Sequence, residues 1–357
     1  MNPTPFRPCV LALIGLASLL ASVTAQNKQT IIPKKYAGGG TARTLVPFSE
    51  QPLHYQQTFS AAVMKEQLSE PVRLRGISFK SKGTGDASMQ IEVQLSISSF
   101  SGGPLNAVFS RNMKADTVTV VPKRFVTLPV STGGFDLALP FAQDWIWDGE
   151  SAIILDIQIY SNGNQSRQFF YWWDSIAPDL QGGVNAQYAL GANSTIANVP
   201  LSNQGLMAQF DYQKGLTMNY GAGCKGQGGF VPKIGASSLP TVGNPNFRIN
   251  VSSARPQTFG ILMWGSSDKN WGPVTLPFAL VNIGIPNCTL LAEPLDLVAA
   301  QITGGSPGSG IGSLPFPIPP SSLLIGYNLY MQWAVIDDTN NAALDLVFSD
   351  AMRVIIG

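Results

Sequence analysis

Apolar and polar residues alternate with a period of two along most of this chain. In Met89–Ser98 (MQIEVQLSIS), Met89, Ile91, Val93, Leu95 and Ile97 fall on one side, and Gln90, Glu92, Gln94, Ser96 and Ser98 on the other. That alternation is the mark of a strand with one buried face. Similar runs predict strands at Val72–Lys80, Arg124–Val130, Phe135–Leu139, Ala152–Tyr160, Arg167–Trp173 and Leu206–Tyr212. Later ones fall at Phe230–Ile234, Phe247–Val251, Phe259–Trp264, Leu276–Val281 and Thr289–Ala292. The last are Leu323–Val335, Leu344–Phe348 and Met352–Ile356. Gly and Asn clusters separate them, as at Gly133-Gly134 and Gly182-Gly183, and supply turns. One short helix is expected at Ser60–Gln67, with Ser60 as its cap.

Many short strands with frequent turns predict an all-β chain of two β-sandwich, jelly-roll-like domains in tandem. The texture shifts near Gly215, where Gly and Pro become denser, so the domains are placed at 26–213 and 214–357. Residues 1–25 read as a signal peptide. Arg7 is its only charge, Val10–Leu20 its apolar stretch, and Val23-Thr24-Ala25 its small-residue exit. The apolar stretch falls short of the ~20 residues a membrane span needs, and no later segment is apolar enough for one. The expected address is therefore extracytoplasmic: secreted or on the cell surface.

Removing 1–25 leaves 21 residues of each charge sign. A neutral chain has no pull on nucleic acid. It also leaves Cys224 and Cys288, which in an exported protein predicts one disulfide. That bridge would stabilise by about 4 kcal/mol in the chain-entropy picture.

Several segments resemble a family of secreted, mostly uncharacterised two-domain β-sandwich proteins of planctomycete-type bacteria. In the second half they are Tyr220–Cys224 (YGAGC), Leu239–Phe247 (LPTVGNPNF), Pro286-Asn287-Cys288, Leu329–Asp337 and Met352–Gly357. In the first half they are Tyr55-Gln56-Gln57, Val72–Phe79 and Trp147-Asp148-Gly149 leading into Ile154–Ile157. The resemblance implies export and sandwich folds, and it carries no activity with it.

The candidate chemistry is sparse. The single histidine, His54, is expected to be packed or exposed rather than catalytic, because no nucleophile on a strand-to-helix turn accompanies it. No set of His and Cys residues has metal-ligand spacing. Asp337, Thr339 and Asn341 mimic the start of a calcium loop but lack its Gly and distal Glu, so a hairpin turn is expected. Gly221–Gly229 and Gly304–Gly312 are expected as loops, because neither contains the Gly-Lys-Ser/Thr element of a phosphate-binding loop and no strand–loop–helix unit surrounds them. No cofactor is implied.

Two acidic-aromatic clusters remain, Asp144–Glu150 and Tyr171–Asp174. Trp145, Trp147, Asp148, Trp172, Trp173 and Asp174 are the candidate ligand residues. Aromatic faces can stack on sugars while carboxylates accept their hydroxyls, and paired carboxyls can hydrolyse glycosides. Core packing is the competing expectation: Trp145 and Trp147 share a strand face, and adjacent Trp172 and Trp173 must point to opposite sides. The role expected is a non-enzymatic structural, adhesive or binding protein. A carbohydrate-binding or carbohydrate-active protein is the alternative. A glycan, another surface protein, or a second copy through its edge strands are the candidate partners.

Overall fold

The computed structural model describes residues 28–49, 51–162, 171–337 and 346–357. The expected signal peptide, residues 167–170 of one expected strand and residues 338–341 of the calcium-like turn lie outside the described residues.

The chain begins with β1 (Lys28–Ile32), β2 (Ala42–Thr44), β3 (Leu53–Phe59), the single-turn α1 (Ala61–Lys65), β4 (Val72–Phe79) and β5 (Met89–Phe100). It continues with β6 (Val118–Leu128), β7 (Leu137–Trp147), β8 (Ala152–Asn162), β9 (Trp173–Ile176) and β10 (Val184–Leu190). Next are β11 (Val199–Leu201), β12 (Gly205–Leu206), β13 (Ala208–Gln213), β14 (Leu216–Tyr220), β15 (Lys233–Ala236) and β16 (Arg248–Ala254). β17 (Thr258–Gly265) precedes four two-residue strands: β18 (Asn270–Trp271), β19 (Val274–Thr275), β20 (Phe278–Ala279) and β21 (Thr289–Leu290). The last are β22 (Asp296–Ile302), β23 (Gly310–Pro315), β24 (Asn328–Ile336) and β25 (Leu346–Ile355).

The fold is all-β, with antiparallel sheets. Strands up to Gln213 form a six-stranded sheet (β11-β10-β3-β8-β5-β6), a four-stranded sheet (β1-β13-β4-β7) and a small three-stranded one (β12-β9-β2). Strands from Leu216 onward form a five-stranded sheet (β14-β25-β24-β17-β22) and a three-stranded one (β15-β16-β23). The six- and four-stranded sheets bury one core between them, where the Phe59 ring of β3 meets the edge of Phe210 of β13 at 5.8 Å. A second core gathers Phe247, Ile249, Leu262, Met331, Trp333 and Val354. The Cys224–Cys288 disulfide lies against this core.

Local chemistry explains most elements. The alternation of 89–97 becomes β5, with Met89, Ile91, Val93, Leu95 and Ile97 buried and Gln90 exposed. Ser60 caps α1 by accepting the Val63 N–H. Pro140 sits in β7, which is the outer strand of its sheet, where a missing donor is tolerated. The strand expected at 135–139 is longer, because Asp144–Trp147 continues it along β4. The two expected C-terminal strands are one, β25. The expected strand at 276–281 is only the two-residue β20 followed by a 3-10 turn at Leu280–Ile283. Gly310–Gly312, expected as loop, belongs to β23 instead.

Candidate functional site

The first cluster is built into the end of β7 and the turn that follows. Trp145 and Trp147 share the inner face, as the period of two requires, and both are buried. Their indole N–H groups donate to the Asp116 carbonyl (3.2 Å) and the Ser151 carbonyl (2.8 Å). Gly149 takes a φ of 85°, which suits glycine and lets the chain fold back. Asp148 then accepts from the Glu150 N–H (2.8 Å), the Ser151 N–H (2.7 Å) and the Ser151 hydroxyl. Burial pushes its carboxyl up, but these donors outweigh that and hold it below the usual range. Asp144 lies 3.3 Å from both Arg73 and Arg75, and Glu150 pairs with Lys65.

The second cluster is built on β9. Trp173 is fully buried, stacked on Tyr171 at 4.9 Å and edge-on to Phe48 at 5.0 Å, with its N–H on Ser49 Oγ at 2.8 Å. Trp172 points the other way, half-buried beneath the Arg43 guanidinium at 4.3 Å. Asp174 is only 1% exposed. It accepts the Gly40 N–H (2.9 Å) and faces Lys82 at 2.9 Å and Lys80 at 3.6 Å.

The six candidate residues therefore divide. The ring faces of Trp145, Trp147 and Trp173 are closed by packing, and Asp148 and Asp174 are turned onto their own donors. Trp172 alone keeps part of its ring toward solvent, shared with Arg43. The acids of both clusters each hold a separate cation or turn.

A cleft of about 450 Å³ opens beside Glu150. Ser60, Phe100, Lys114, Leu180 and Asn185 line it with Glu150, which is the only acid among its lining residues. A second cleft, about 530 Å³, is lined by Asn250, Ser252, Gln301, Thr303, Ile311 and Ser313. Neither follows from alternation within one strand, because each gathers residues distant in the chain, the second from β16, β23 and the end of β22.

His54 is packed on the outer face of β3. Its ring stacks on Phe109 at 3.8 Å. Nε2 lies 2.7 Å from Asp156 Oδ1, and Nδ1 lies 2.7 Å from the Ser194 carbonyl. Gln56 donates to the same Asp156 oxygen at 2.7 Å and to the Phe109 carbonyl at 3.0 Å, and it accepts from Asn112 at 2.8 Å. This buried polar network pins the 3-10 turn Phe109–Asn112 onto the sheet. The lone histidine was visible in the sequence, but its partners, 50 or more residues away, were not.

Ser306 stands in Gly304-Gly305-Ser306-Pro307-Gly308, which has the spacing of a nucleophile elbow. The segment is a turn between β22 and β23, with no helix after it, so the strained strand-to-helix geometry is missing. Among the described residues, no three His, Cys, Asp or Glu side chains converge to hold a metal ion.

No family model matches the chain, and no curated protein matches it. Among solved structures, it aligns with the T=3 nodavirus of Penaeus vannamei at 10% identity and a TM-score of 0.14, over 99% of this chain and 97% of that one. It also aligns with a tetra-tandem repeat from the extending region of a large adhesion protein at 8% identity and a TM-score of 0.18, over 91% of this chain and 99% of that one. Similarity at this level carries no argument about fold or role, which rest on the geometry above.

Proposed function

We propose that the chain is an exported, non-enzymatic structural, adhesive or binding protein of the cell surface or extracellular space, with two sandwich domains meeting near residue 214. The observation that carries this reading is the use made of the acidic-aromatic clusters. Trp145, Trp147 and Trp173 fill the core, and Asp144, Asp148 and Asp174 hold arginines, a turn and lysines. The chemistry-bearing residues thus support the scaffold. The disulfide supports an oxidising compartment. No helix among the described residues is long and apolar enough to cross a membrane. The resemblance to secreted planctomycete-type proteins points the same way. Fractionation of cells expressing the full chain tests it: the product is expected outside the cytoplasm, beginning at Gln26, with Cys224 and Cys288 oxidised. Reduced protein retained in the cytoplasm would overturn the reading.

The cleft beside Glu150 favours a second reading, carbohydrate binding without hydrolysis. Its hydroxyl, amide, ammonium and single carboxylate groups over an apolar Phe100 and Leu180 suit a polyhydroxylated ligand. Glycan-array binding lost in Asn185→Ala and Glu150→Gln would establish it, and an array with no signal for the wild type would end it.

A further inference from the structure

β22 and β23 are consecutive strands, and a single bridge ties them together. Thr303 and Ile311 exchange both backbone hydrogen bonds at 2.9 Å. Beyond that bridge β22 pairs with β17, and β23 pairs with β16. The cleft of about 530 Å³ lies over this junction, a size within the roughly 300–1,000 Å³ common for ligand sites.

Alternation along the strands decides what faces the cleft. Ile249 and Val251 of β16 and Ile302 of β22 are buried in the core. Their neighbours Asn250, Ser252, Gln301 and Thr303 therefore project to the outer side, together with Ile311 and Ser313 of β23. Five of these six carry a hydroxyl or an amide, and none of the lining residues is charged.

One of the two amides is held in a fixed orientation. The Arg248 guanidinium donates to Ser313 Oγ at 2.8 Å and to the Ser313 carbonyl at 3.3 Å. The Ser313 hydroxyl donates in turn to Asn250 Oδ1 at 2.7 Å. Arginine can only donate, so the relay runs one way and leaves both Asn250 Nδ2 hydrogens for an incoming acceptor. The Gln301 amide and the Ser252 hydroxyl make no side-chain hydrogen bond among the described residues. An aromatic ring stands beside them. Phe259 of β17 lies directly opposite Gln301 in register, so the two side chains share a face, and Phe259 is 57% exposed.

These features select a ligand chemistry. A charged ligand would find no counter-charge in the lining, and the Arg248 guanidinium is already engaged by Ser313. A peptide strand would need open backbone along β22, but β23 already flanks it: a Cβ on Gly312 would lie 3.4 Å from the Gln301 carbonyl oxygen. A neutral molecule with many hydroxyls suits both the unspent amides and the apolar surfaces of Phe259 and Ile311. We propose that this cleft binds a neutral saccharide chain, with Asn250 and Gln301 as its hydrogen-bonding residues and Phe259 as its stacking surface. Its residues all belong to the strands after Leu216, so it is a different site from the cleft beside Glu150, and it depends neither on that reading nor on export.

Binding of the full chain to an array of neutral gluco-, manno-, galacto- and xylo-oligosaccharides, with uronic and sulfated members beside them, tests the site. The wild type is expected to hold at least one neutral member. Asn250→Ala, Gln301→Ala and Phe259→Ala are each expected to weaken it by about tenfold, at an unchanged unfolding temperature, as the loss of one such contact implies. Glu150→Gln and Asn185→Ala are expected to retain it. If Asn250→Ala unfolds early, Gln301→Ala, on an exposed side chain outside the relay, takes its place. A signal lost in Glu150→Gln and kept in the three cleft variants would overturn the proposal in favour of the cleft beside Glu150. Binding confined to charged members, or a wild type that binds nothing, would overturn it as well.

Discussion

His54 has an acceptor at each ring nitrogen: Nε2 lies 2.7 Å from the Asp156 carboxylate and Nδ1 lies 2.7 Å from the Ser194 carbonyl. Both partners are acceptors, so the arrangement suits the imidazolium and leaves one contact without a proton when the ring is neutral. Burial alone lowers the pKa of this ring. The Asp156 hydrogen bond and charge, with the Ser194 carbonyl, outweigh that and raise it above the ordinary value.

A raised folded pKa has a definite consequence for stability. The contribution of His54 is complete below its unfolded value of about 6.5 and is lost as pH rises through the higher folded value. Thermal unfolding temperature is expected to fall across that window in the wild type. His54→Gln is expected to remove that part of the slope. An identical slope in both proteins would show that the ring is not the titrating group.

The buried indoles are expected to separate from the half-buried one. Trp147→Ala and Trp173→Ala each open a large cavity and should cost about 3–5 kcal/mol. Trp172→Ala loses its contact with Arg43 and should cost about 1 kcal/mol. Chemical denaturation of the three variants checks the order. Equal losses would contradict the opposite placement of the adjacent rings.

Asp174 is expected to matter through its charge. Asp174→Asn keeps the shape but leaves Lys80 and Lys82 facing each other without their shared anion, and should cost about 1–3 kcal/mol. Both lysines reach solvent, which caps the loss. Adding salt should narrow the gap to the wild type, because it screens the two lysines.

Reduction of Cys224–Cys288 opens a loop spanning 64 positions in sequence. The chain-entropy picture assigns such a loop about 4 kcal/mol. Unfolding of the reduced protein should therefore begin at clearly lower denaturant. An unchanged midpoint would mean that the reduced chain keeps the same constraint by other contacts.

The strands legible in the sequence were those with one dry face, such as β5 and β8. β3 was not legible as a strand, because all seven of its positions are buried and several are polar. His54, Gln56 and Thr58 lie under cover that comes from distant residues, so no local alternation marks them. β22 failed for the opposite reason: most of its positions face solvent, and its apolar residues look like a short unpatterned run. The shared face of Trp145 and Trp147 was legible from spacing. Whether that face was wet or dry depended on the sheet opposite, which spacing does not encode. The pairing of Asp174 with Lys80 and Lys82 was hidden likewise, since β4 and β9 are not neighbours in the chain.

The protein holds one histidine, and that histidine sits where the Phe109–Asn112 turn is fastened to the sheet. In proton magnetic resonance of the untagged chain, a single imidazole therefore supplies an isolated signal with no assignment problem. Its shift and line width read out, in real time, whether that flap of the molecule is seated or lifted.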